Sequence, residues 1–285
     1  MTPSAPALAV TGATGRLGRR VAERLAAAGT PQRLVVRDPA RAPELPGVEV
    51  VRAEYADGEA ARRALDGVKT LFMVSGAEEP GRVEAHRTFV DAAVAAGVSH
   101  LVYTSFFGAA PDATFTLARD HWATEEHLAA SGLRTTILRD NLYIDFFPLM
   151  VGDDGVLRGP AGDGRVAAVT QDDIADAAVA VLSEPEKHEN ARYDLTGPAA
   201  LTLREVAATI TEVTGRQVTY RDESLNEAYS SRATYGAPAW QVDAWVSTYT
   251  AIAAGEFDGV TAAVAELTGH PPTSLAAHLS ALNAD

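Results

Sequence analysis

The sequence predicts an α/β protein: a Rossmann-like, doubly wound parallel sheet followed by a smaller, mostly helical C-terminal region. Two observations carry this prediction. A buried apolar run and three glycines at Gly-x-x-Gly-x-x-Gly spacing lead into a helical pattern over Ala7–Leu25. From there to about residue 143, short apolar runs alternate strictly with helical patterns. Such alternation is typical of parallel strands joined by right-handed crossovers, with helices on both faces of the sheet.

The glycine motif predicts the first half of a nucleotide-binding βαβ unit. Gly12 permits a tight turn after the strand, Gly15 lets the backbone approach a pyrophosphate, and Gly18 lets the helix pack closely on the strand. The start of the helix then presents unpaired N–H groups and a positive dipole end to phosphates. The alternative is an ordinary glycine-rich turn.

The second strand, Arg33–Arg37, bears on the choice of dinucleotide. NAD-binding units of this kind place an acidic residue at the end of the second strand, whereas this chain places Arg37 there. A guanidinium suits a 2′-phosphate in charge and in geometry. Arg41 lies just beyond, and Arg16, inside the glycine loop, could reach the same phosphate. We therefore expect NADP, with NAD as the alternative because Asp38 follows directly. Asp38 otherwise opens a turn at Pro39.

The remaining elements of the first half place polar residues at the ends of strands, where open parallel sheets bind ligands. Strands are predicted at residues 48–51, 69–74, 100–104 and 135–138, and helices at 58–65, 82–96 and 116–131. The helix 82–96 is expected to bury Val83, Phe89, Val90 and Val94. The candidate ligand contacts after these strands are Ser75, Gly76, Tyr103, Thr104, Ser105, Asn141 and Tyr143.

The regular alternation ends near residue 150, so we divide the chain into a dinucleotide-binding domain, 1–150, and a substrate-binding region, 151–285. The second region is expected to pack on the first and to contribute partly to its sheet. Residues 152–164 hold five glycines and predict a loop or hairpin. Helices are predicted at 172–182 and 202–215, the latter with Thr202 and Glu205 as a capping box, and strands at 191–195 and 218–220.

Composition excludes several classes of function. The 285 residues carry a net charge of −14, which disfavours nucleic acid or an anionic membrane as the main partner. The chain has no cysteine, so disulfides, thiolate metal sites and a cysteine nucleophile are excluded. Its histidines are scattered, so we expect no metal site. Without a long apolar run or an apparent targeting segment, a cytoplasmic location is expected.

These motifs together identify a resemblance. The chain resembles the NmrA-like group of atypical short-chain dehydrogenases, and is similar within it to NAD(P)H:quinone oxidoreductases and triphenylmethane dye reductases. The resemblance runs over nearly the full length. It is carried by the segments 12–18, 34–39, 71–75, 86–87, 103–105, 121–125, 138–143, 161–165, 172–175 and 269–271.

The resemblance implies NADPH as the hydride donor, with no flavin or metal, and a quinone or similar aromatic acceptor. It implies that Gly12, Thr14, Gly15, Arg16 and Leu17 hold the pyrophosphate, that Arg37 holds the 2′-phosphate, and that Ser75 lies beside the ribose. Residues 103–106 and 141–143 would lie near the nicotinamide.

One departure from the dehydrogenase pattern affects the chemistry. Typical short-chain dehydrogenases use a Tyr-x-x-x-Lys pair, but here Phe107 stands four residues after Tyr103, and the only lysines are Lys69 and Lys187. A quinone is so electrophilic that positioning against the nicotinamide can supply much of the acceleration, with the protons coming from water or a weak acid. The expected substrates include aromatic polyketide intermediates. The rival hypothesis is an NmrA-like redox sensor that binds a protein partner without catalysis. A sugar-nucleotide epimerase ranks third, since epimerases usually keep the pair.

The candidate catalytic residues are Tyr103, His121 and Asn141, each with a structural alternative: packing, pairing with Glu125, or loop anchoring. Phe106, Phe107, Tyr143 and Phe146 are the candidate substrate contacts, with Phe147 and Trp122 as further members of an aromatic pocket. Core packing is the alternative for each ring. The aromatic residues of the C-terminal helices suit either the substrate region or a homodimer contact.

Overall fold

The fold is known from a computed structural model that describes residues 6–283. The strands are β1 (Leu8–Thr11), β2 (Gln32–Val36), β3 (Glu49–Arg52), β4 (Thr70–Met73), β5 (His100–Phe106), β6 (Arg134–Asp140), β7 (Val156–Gly159), β8 (Arg165–Val166), β9 (Ala191–Leu195), β10 (Leu201–Thr202) and β11 (Thr219–Asp222). The α-helices are α1 (Arg16–Ala27), α2 (Gly58–Ala64), α3 (Arg82–Ala95), α4 (Thr116–Ala130), α5 (Gln171–Ser183), α6 (Leu203–Thr214), α7 (Leu225–Ala233), α8 (Ala239–Ala253), α9 (Ala263–Thr268) and α10 (Leu275–Leu282). Short 3₁₀ helices span Pro39–Arg41, Ile144–Met150 and Pro185–His188.

Seven strands form the central sheet in the order β3-β2-β1-β4-β5-β6-β9. The pairs from β3 to β5 are parallel, and the direction of the strand order reverses between β1 and β4. This reversal is the topological switch point, where doubly wound sheets bind ligands at the carboxyl ends of the strands. The predicted Rossmann-like, doubly wound fold is confirmed.

The described chain forms two compact units. The first unit consists of residues 6–105, 120–139 and 174–193. It carries most of the central sheet, and its core includes Leu71, Phe89, Leu101 and Tyr103.

The second unit consists of residues 106–119, 140–173 and 194–283. Its core includes Phe115, Phe147, Leu157 and Phe257, and it contains two small sheets, β8 with β10 and β7 with β11. A simple division of the chain at residue 150 stays a prediction.

Local sequence signals place most elements within one or two residues of their predicted bounds. The capping box of α6 is confirmed: the Thr202 side chain accepts from the Glu205 N–H, and the Glu205 carboxylate accepts from the Thr202 N–H. Strand β9 matches its predicted bounds and joins the central sheet.

One local prediction needs correction. Val94 was expected on the buried face of α3 but is 43% exposed, because the buried face is instead carried by Arg82, His86, Phe89 and Ala93. The polar residues of that face hid it from a hydrophobic pattern. The glycine-rich segment 152–164 begins with a hairpin-like turn, as expected, since Val151 and Leu157 form an antiparallel bridge. Strand β7 within it also pairs in parallel with β11, some sixty residues later (register Thr219 to Val156).

Candidate functional site

The three glycines of the predicted phosphate loop occupy positions where a side chain would strain the backbone or crowd neighbouring atoms. Gly12 has φ +68°, and a Cβ there would lie 2.9 Å from Cβ of Val74. Gly15 closes the turn, since its N–H donates to the Gly12 carbonyl over 2.8 Å. A Cβ on Gly18 would lie 2.4 Å from the Gly12 backbone. The turn after β1 and the close approach of α1 therefore both require glycine.

The start of α1 is built to receive an anion. Gly15 is the N-cap residue and has no side chain with which to satisfy the first N–H groups of the helix. Thr14 is half-buried, Arg16 is exposed, and the Leu17 side chain is buried, so Leu17 can contribute only its backbone to a ligand. The N–H groups, the helix dipole and the Arg16 charge all favour a phosphate here.

The residues after β2 have distinct tasks. Arg37 is exposed immediately after the strand. The Asp38 carboxylate accepts a hydrogen bond from the Ala40 N–H over 3.1 Å and so caps the short helix Pro39–Arg41. Arg41 is also exposed, and its carbonyl accepts from the Arg19 side chain over 3.3 Å. Asp38 thus has the turn-opening role that was the alternative to ribose binding.

A buried tyrosine fastens the switch point of the sheet. The Tyr55 hydroxyl donates to the Val74 carbonyl over 2.6 Å and lies 2.5 Å from the Thr11 hydroxyl. Thr11 in turn accepts from the Val74 N–H over 2.9 Å. The Tyr55 ring stacks on Phe89, with 4.3 Å between the ring centroids. Tyr55 therefore holds the ends of β1 and β4 together beneath the glycine loop.

The loop after β4 is held by two further side chains. The Ser75 N–H donates to Thr104 Oγ1 over 2.9 Å, and the Gly76 N–H donates to His86 Nε2 over 2.8 Å. Thr104 is 1% exposed and His86 is fully buried, so both act from inside the first unit. They fix the main chain of Ser75 and Gly76, which stay half-buried and are the predicted cofactor contacts.

Both buried histidines of this network are neutral. Nε2 of His86 accepts from Gly76, so Nδ1 carries the proton and donates to Thr124 over 2.9 Å. Nε2 of His121 lies 3.0 Å from an Arg82 nitrogen that can only donate, so His121 Nδ1 donates to the Tyr103 hydroxyl over 3.1 Å. Burial, with the Arg82 charge, lowers the pKa of His86 to about 3 and that of His121 well below its usual value.

Tyr103 and His121 lie inside the first unit. Tyr103 is 0% exposed and His121 is 7% exposed, and burial raises the pKa of the Tyr103 phenol. Both side chains are bonded to each other rather than presented to a ligand. Their burial favours a positioning role over direct proton donation, and any catalytic role for them stays a prediction.

A buried ion pair joins the end of β6 to α4. Arg139 donates to both carboxylate oxygens of Glu125, over 2.9 and 2.6 Å, and the Ser105 hydroxyl donates to the same carboxylate. The side chains of Arg139 and Glu125 are 9% and 10% exposed. Ser105 is therefore held by Glu125, and its predicted contact with the cofactor stays a prediction.

The second unit holds the aromatic residues proposed for the substrate. Phe106 packs against Phe115 and Phe257, with centroids 4.9 and 5.3 Å away. Phe107 packs so closely on Gly259 that a Cβ there would lie 2.8 Å from the ring. Tyr143 packs against Phe146 at 5.4 Å.

Of the remaining predicted pocket members in the second unit, Phe146 is the most exposed at 39%, whereas Phe147 is a core residue at 2%. Asn141 is fully buried and serves the loop after β6: its side chain donates to the Phe257 carbonyl over 3.1 Å and accepts from the Leu142 N–H over 2.8 Å. This is the anchoring alternative expected for Asn141.

Within residues 6–283, no group of three or more histidine, aspartate or glutamate side chains is placed to hold a metal ion. No helix in the same part of the chain is long and apolar enough to span a membrane.

The sheet order, its switch point and a loop that requires glycine at Gly12 and Gly18 define an α/β protein of the Rossmann-like, dinucleotide-binding class. Residues 5–237 match the NmrA-like family. Quinone oxidoreductase 2 of Escherichia coli K12 is 37% identical over 283 residues, which cover 96% of this chain and 98% of that protein.

Solved structures give the same result. The structure of an NADPH-dependent quinone oxidoreductase from E. coli, complexed with NADPH, has a TM-score of 0.89 and 36% identity over 97% of this chain and 99% of that one. The triphenylmethane reductase of a Citrobacter species, complexed with NADP(H), has a TM-score of 0.86 and 32% identity over 96% and 99%. The chain belongs to the NmrA-like family, and the resemblance given by its motifs is confirmed.

Proposed function

We propose that this protein is an NADPH-dependent reductase that passes hydride directly to a quinone or a related conjugated aromatic substrate. The broader assignment follows from relatives aligned over more than nine-tenths of both chains, which are named quinone oxidoreductase 2, NAD(P)H azoreductase and NADPH-dependent quinone oxidoreductase. The protein is an NAD(P)H-dependent oxidoreductase. The preference for NADPH, the substrate class and the site residues are the proposal.

The observation that supports the choice of NADPH is that Arg37 and Asp38 have different roles at the end of β2. The Asp38 carboxylate is engaged with the Ala40 N–H, while the Arg37 guanidinium stands exposed at the end of β2. A 2′-phosphate at that strand end gains a charged, two-pronged partner, whereas a bare ribose loses the acidic partner that it normally has. Arg16, in the glycine loop, adds a second positive charge.

The chain's own residues hold the cofactor and set its position. The first turn of α1 and the loop Gly12–Gly15 bind the pyrophosphate, and the main chain of Ser75 and Gly76 borders the ribose. When bound, NADPH supplies the hydride. Tyr55, Thr104 and His86 act indirectly. Their hydrogen bonds hold in place the strand ends and loops that make these contacts. Positioning of this kind is the main catalytic requirement for an electrophilic acceptor.

The substrate side of the proposal rests on the second unit. Phe106, Phe107, Tyr143 and Phe146 offer aromatic faces suited to a flat, conjugated molecule. Asn141 fixes the loop from which Tyr143 projects. Aromatic polyketide intermediates fall within the same chemical class as simple quinones.

The experiment that tests the proposed function is a substrate panel. Purified protein is mixed with NADPH and then with simple quinones, polycyclic quinones, triphenylmethane dyes and unactivated aromatic ketones, and NADPH absorbance is followed. We expect turnover with the quinones and little with the ketones, because the Tyr-x-x-x-Lys pair is missing. Tight NADPH binding with no turnover on any acceptor would refute the reductase and favour the redox sensor, whose binding to a protein partner would then depend on the oxidation state of the nucleotide.

A further inference from the structure

We infer that Asp140 and Tyr143 form a proton-donating pair, in which Tyr143 gives a proton to the reduced substrate and Asp140 replaces it. The inference rests on the proposed function and names the acid that the function needs. A quinone that accepts one hydride, with its two electrons, becomes a hydroquinone only when one proton is added to the oxyanion. Tyr103 and His121 are too deeply buried to give that proton directly.

Asp140 is placed to supply a proton to Tyr143. It is the last residue of β6 and is 1% exposed. Its Oδ2 lies 3.1 Å from the Tyr143 hydroxyl, while its Oδ1 is buried without a hydrogen-bond partner among residues 6–283. The Phe107 N–H donates to the Asp140 carbonyl over 2.9 Å, which fixes the backbone that carries the carboxyl.

On the adjacent strand β9, Asp194 is a titratable neighbour, since it precedes Leu195, whose carbonyl accepts from the Asn141 N–H over 3.0 Å. The charged and polar neighbours of Asp140 along its own chain segment are bonded to other groups. Arg139 directs its guanidinium to both oxygens of Glu125. The Asp145 carboxylate accepts from the Gln171 N–H over 2.9 Å. The Asn141 side chain is used by Phe257 and Leu142.

A buried carboxyl beside no cation is more stable with its proton than without it. Burial raises the pKa of Asp140 well above its usual value, and the hydrogen bond from Tyr143 offsets this only in part. Burial therefore favours the protonated form of Asp140. An aspartate on the protein surface would be ionised at neutral pH and unable to donate a proton.

Tyr143 lies between this buried acid and an exposed aromatic ring. It is half-buried, and its ring packs on Phe146, which is 39% exposed. A phenol alone is a weak acid, with an ordinary pKa of about 10. A neighbouring carboxylic acid removes that disadvantage, since it restores the phenol proton as the proton is given up.

The transfer balances without any further reactant. The O–H bond of Tyr143 breaks as an O–H bond forms on the reduced substrate. In the structure the Tyr143 hydroxyl donates to Asp140 Oδ2, so the hydroxyl turns from Asp140 to the substrate for the transfer. The carboxyl O–H bond of Asp140 then breaks as a new O–H bond forms on Tyr143. Asp140 then regains a proton from solvent by way of the Tyr143 hydroxyl, its hydrogen-bond partner, and the net change is the one proton that reduction consumes.

The test compares Asp140→Asn and Tyr143→Phe with Asp194→Asn as a matched control. Asp194 also lies near a strand end, and its Oδ1 is buried without a hydrogen-bond partner among the described residues, but it is not bonded to Tyr143. The first readout is independent of activity: the infrared band of a protonated carboxyl group at neutral pH. We expect the wild type and Asp194→Asn to show the Asp140 band and Asp140→Asn to lose it.

The second readout is the rate of quinone reduction. We expect Asp140→Asn and Tyr143→Phe to lower kcat by about a hundredfold, the usual size of a general-acid contribution, while KM for NADPH stays unchanged. The wild-type kcat should fall as the pH rises through the pKa of Asp140, and this fall should be absent in Asp140→Asn. Asp194→Asn should match the wild type.

The possible failures are distinct. Absence of the carboxyl band from the wild type, or unchanged kcat in both variants of an active enzyme, would overturn the proton-donating pair and leave the reductase intact. A wild-type protein that reduces no quinone would overturn the proposed function and, with it, the catalytic role of the pair.

Discussion

Nε2 of His86, on α3, accepts the main-chain N–H of Gly76 over 2.8 Å, and this bond fixes the loop after β4. The opposite ring nitrogen donates to Thr124 on α4. One neutral histidine therefore joins two helices to the loop that is proposed to border the cofactor. A ligand-binding loop held from below by a buried side chain is rigid before the ligand arrives, which reduces the entropy lost on binding.

The first prediction concerns this bond. In His86→Gln the side-chain amide can still accept from Gly76, whereas in His86→Asn it is too short to reach Gly76 but can still contact Thr124. We expect NADPH to bind about fivefold more weakly to His86→Asn, since one hydrogen bond to the loop is lost. His86→Gln should bind nearly as the wild type does. Equal dissociation constants for the two variants, measured by fluorescence titration, would show that the bond does not set cofactor affinity.

The same histidine predicts a pH dependence of stability. The pKa of His86 is about 3 in the folded protein because of burial and the Arg82 charge, against about 6.5 in an unfolded chain. Between these pH values the unfolded chain binds a proton that the folded protein does not, so stability is full above about pH 6.5 and declines as the pH falls. Relative to His86→Gln, the wild type should lose up to about 1.4 kcal/mol of unfolding free energy per pH unit in this range. Parallel curves for the two proteins in urea unfolding would contradict a neutral, buried His86.

Arg37 and Asp38 give the prediction on cofactor choice. Arg37→Gln should weaken NADPH binding by about tenfold to a hundredfold, the worth of a charged hydrogen-bonded contact, with little change for NADH. Asp38→Asn should leave the NADPH preference intact, because Asp38 caps the helix Pro39–Arg41. The two dissociation constants of each variant decide the matter. A gain in NADPH preference in Asp38→Asn alone would mean that Asp38 contacts the ribose.

The glycine loop makes a prediction with a matched control. Gly18→Ala should abolish cofactor binding or destabilise the fold, since its Cβ would lie 2.4 Å from the Gly12 backbone, which cannot move aside. Gly29→Ala is the control: Gly29 has φ +72°, but a Cβ there meets nothing within 4 Å. It should cost about 1 kcal/mol of backbone strain and leave NADPH binding unchanged. Similar binding by both variants would refute the close-packing argument.

The buried pair of Arg139 and Glu125 predicts a large effect on stability. Arg139→Met alone should cost about 3–5 kcal/mol, because it leaves the Glu125 carboxylate buried without its partner. The double variant Arg139→Met, Glu125→Leu should recover much of that loss. Urea unfolding of both proteins measures the coupling, and additive losses would show that the two side chains act independently.

The sequence alone predicted those features that depend on local signals. The Gly-x-x-Gly-x-x-Gly spacing located the loop after β1, and the Thr202 and Glu205 pair located the start of α6. The alternation of apolar runs and helical patterns predicted the doubly wound sheet, because each element carries its own periodicity. Arg37 could be placed at the end of β2 because the end of a strand is a local feature.

The rest depended on contacts between distant residues. Tyr55 acts on Thr11 and Val74, and Arg82 acts on His121, across separations of nineteen to forty-four residues that no local pattern records. Tyr103 was expected at the exposed end of a strand, yet β5 runs on to Phe106 and buries it. Hydrophobic periodicity did not reveal the buried face of α3, because polar residues carry part of that face. The same misassignment of the face made Val94 appear buried.

Hydride transfer from NADPH to a quinone is tested by measuring NADPH and NADH oxidation by the purified protein when one simple quinone is added under anaerobic conditions. We expect one NADPH to be consumed for each hydroquinone formed, with kcat/KM at least about tenfold higher for NADPH than for NADH, because of a charged contact to the 2′-phosphate. No oxidation by the quinone despite NADPH binding, or a preference for NADH, would contradict it.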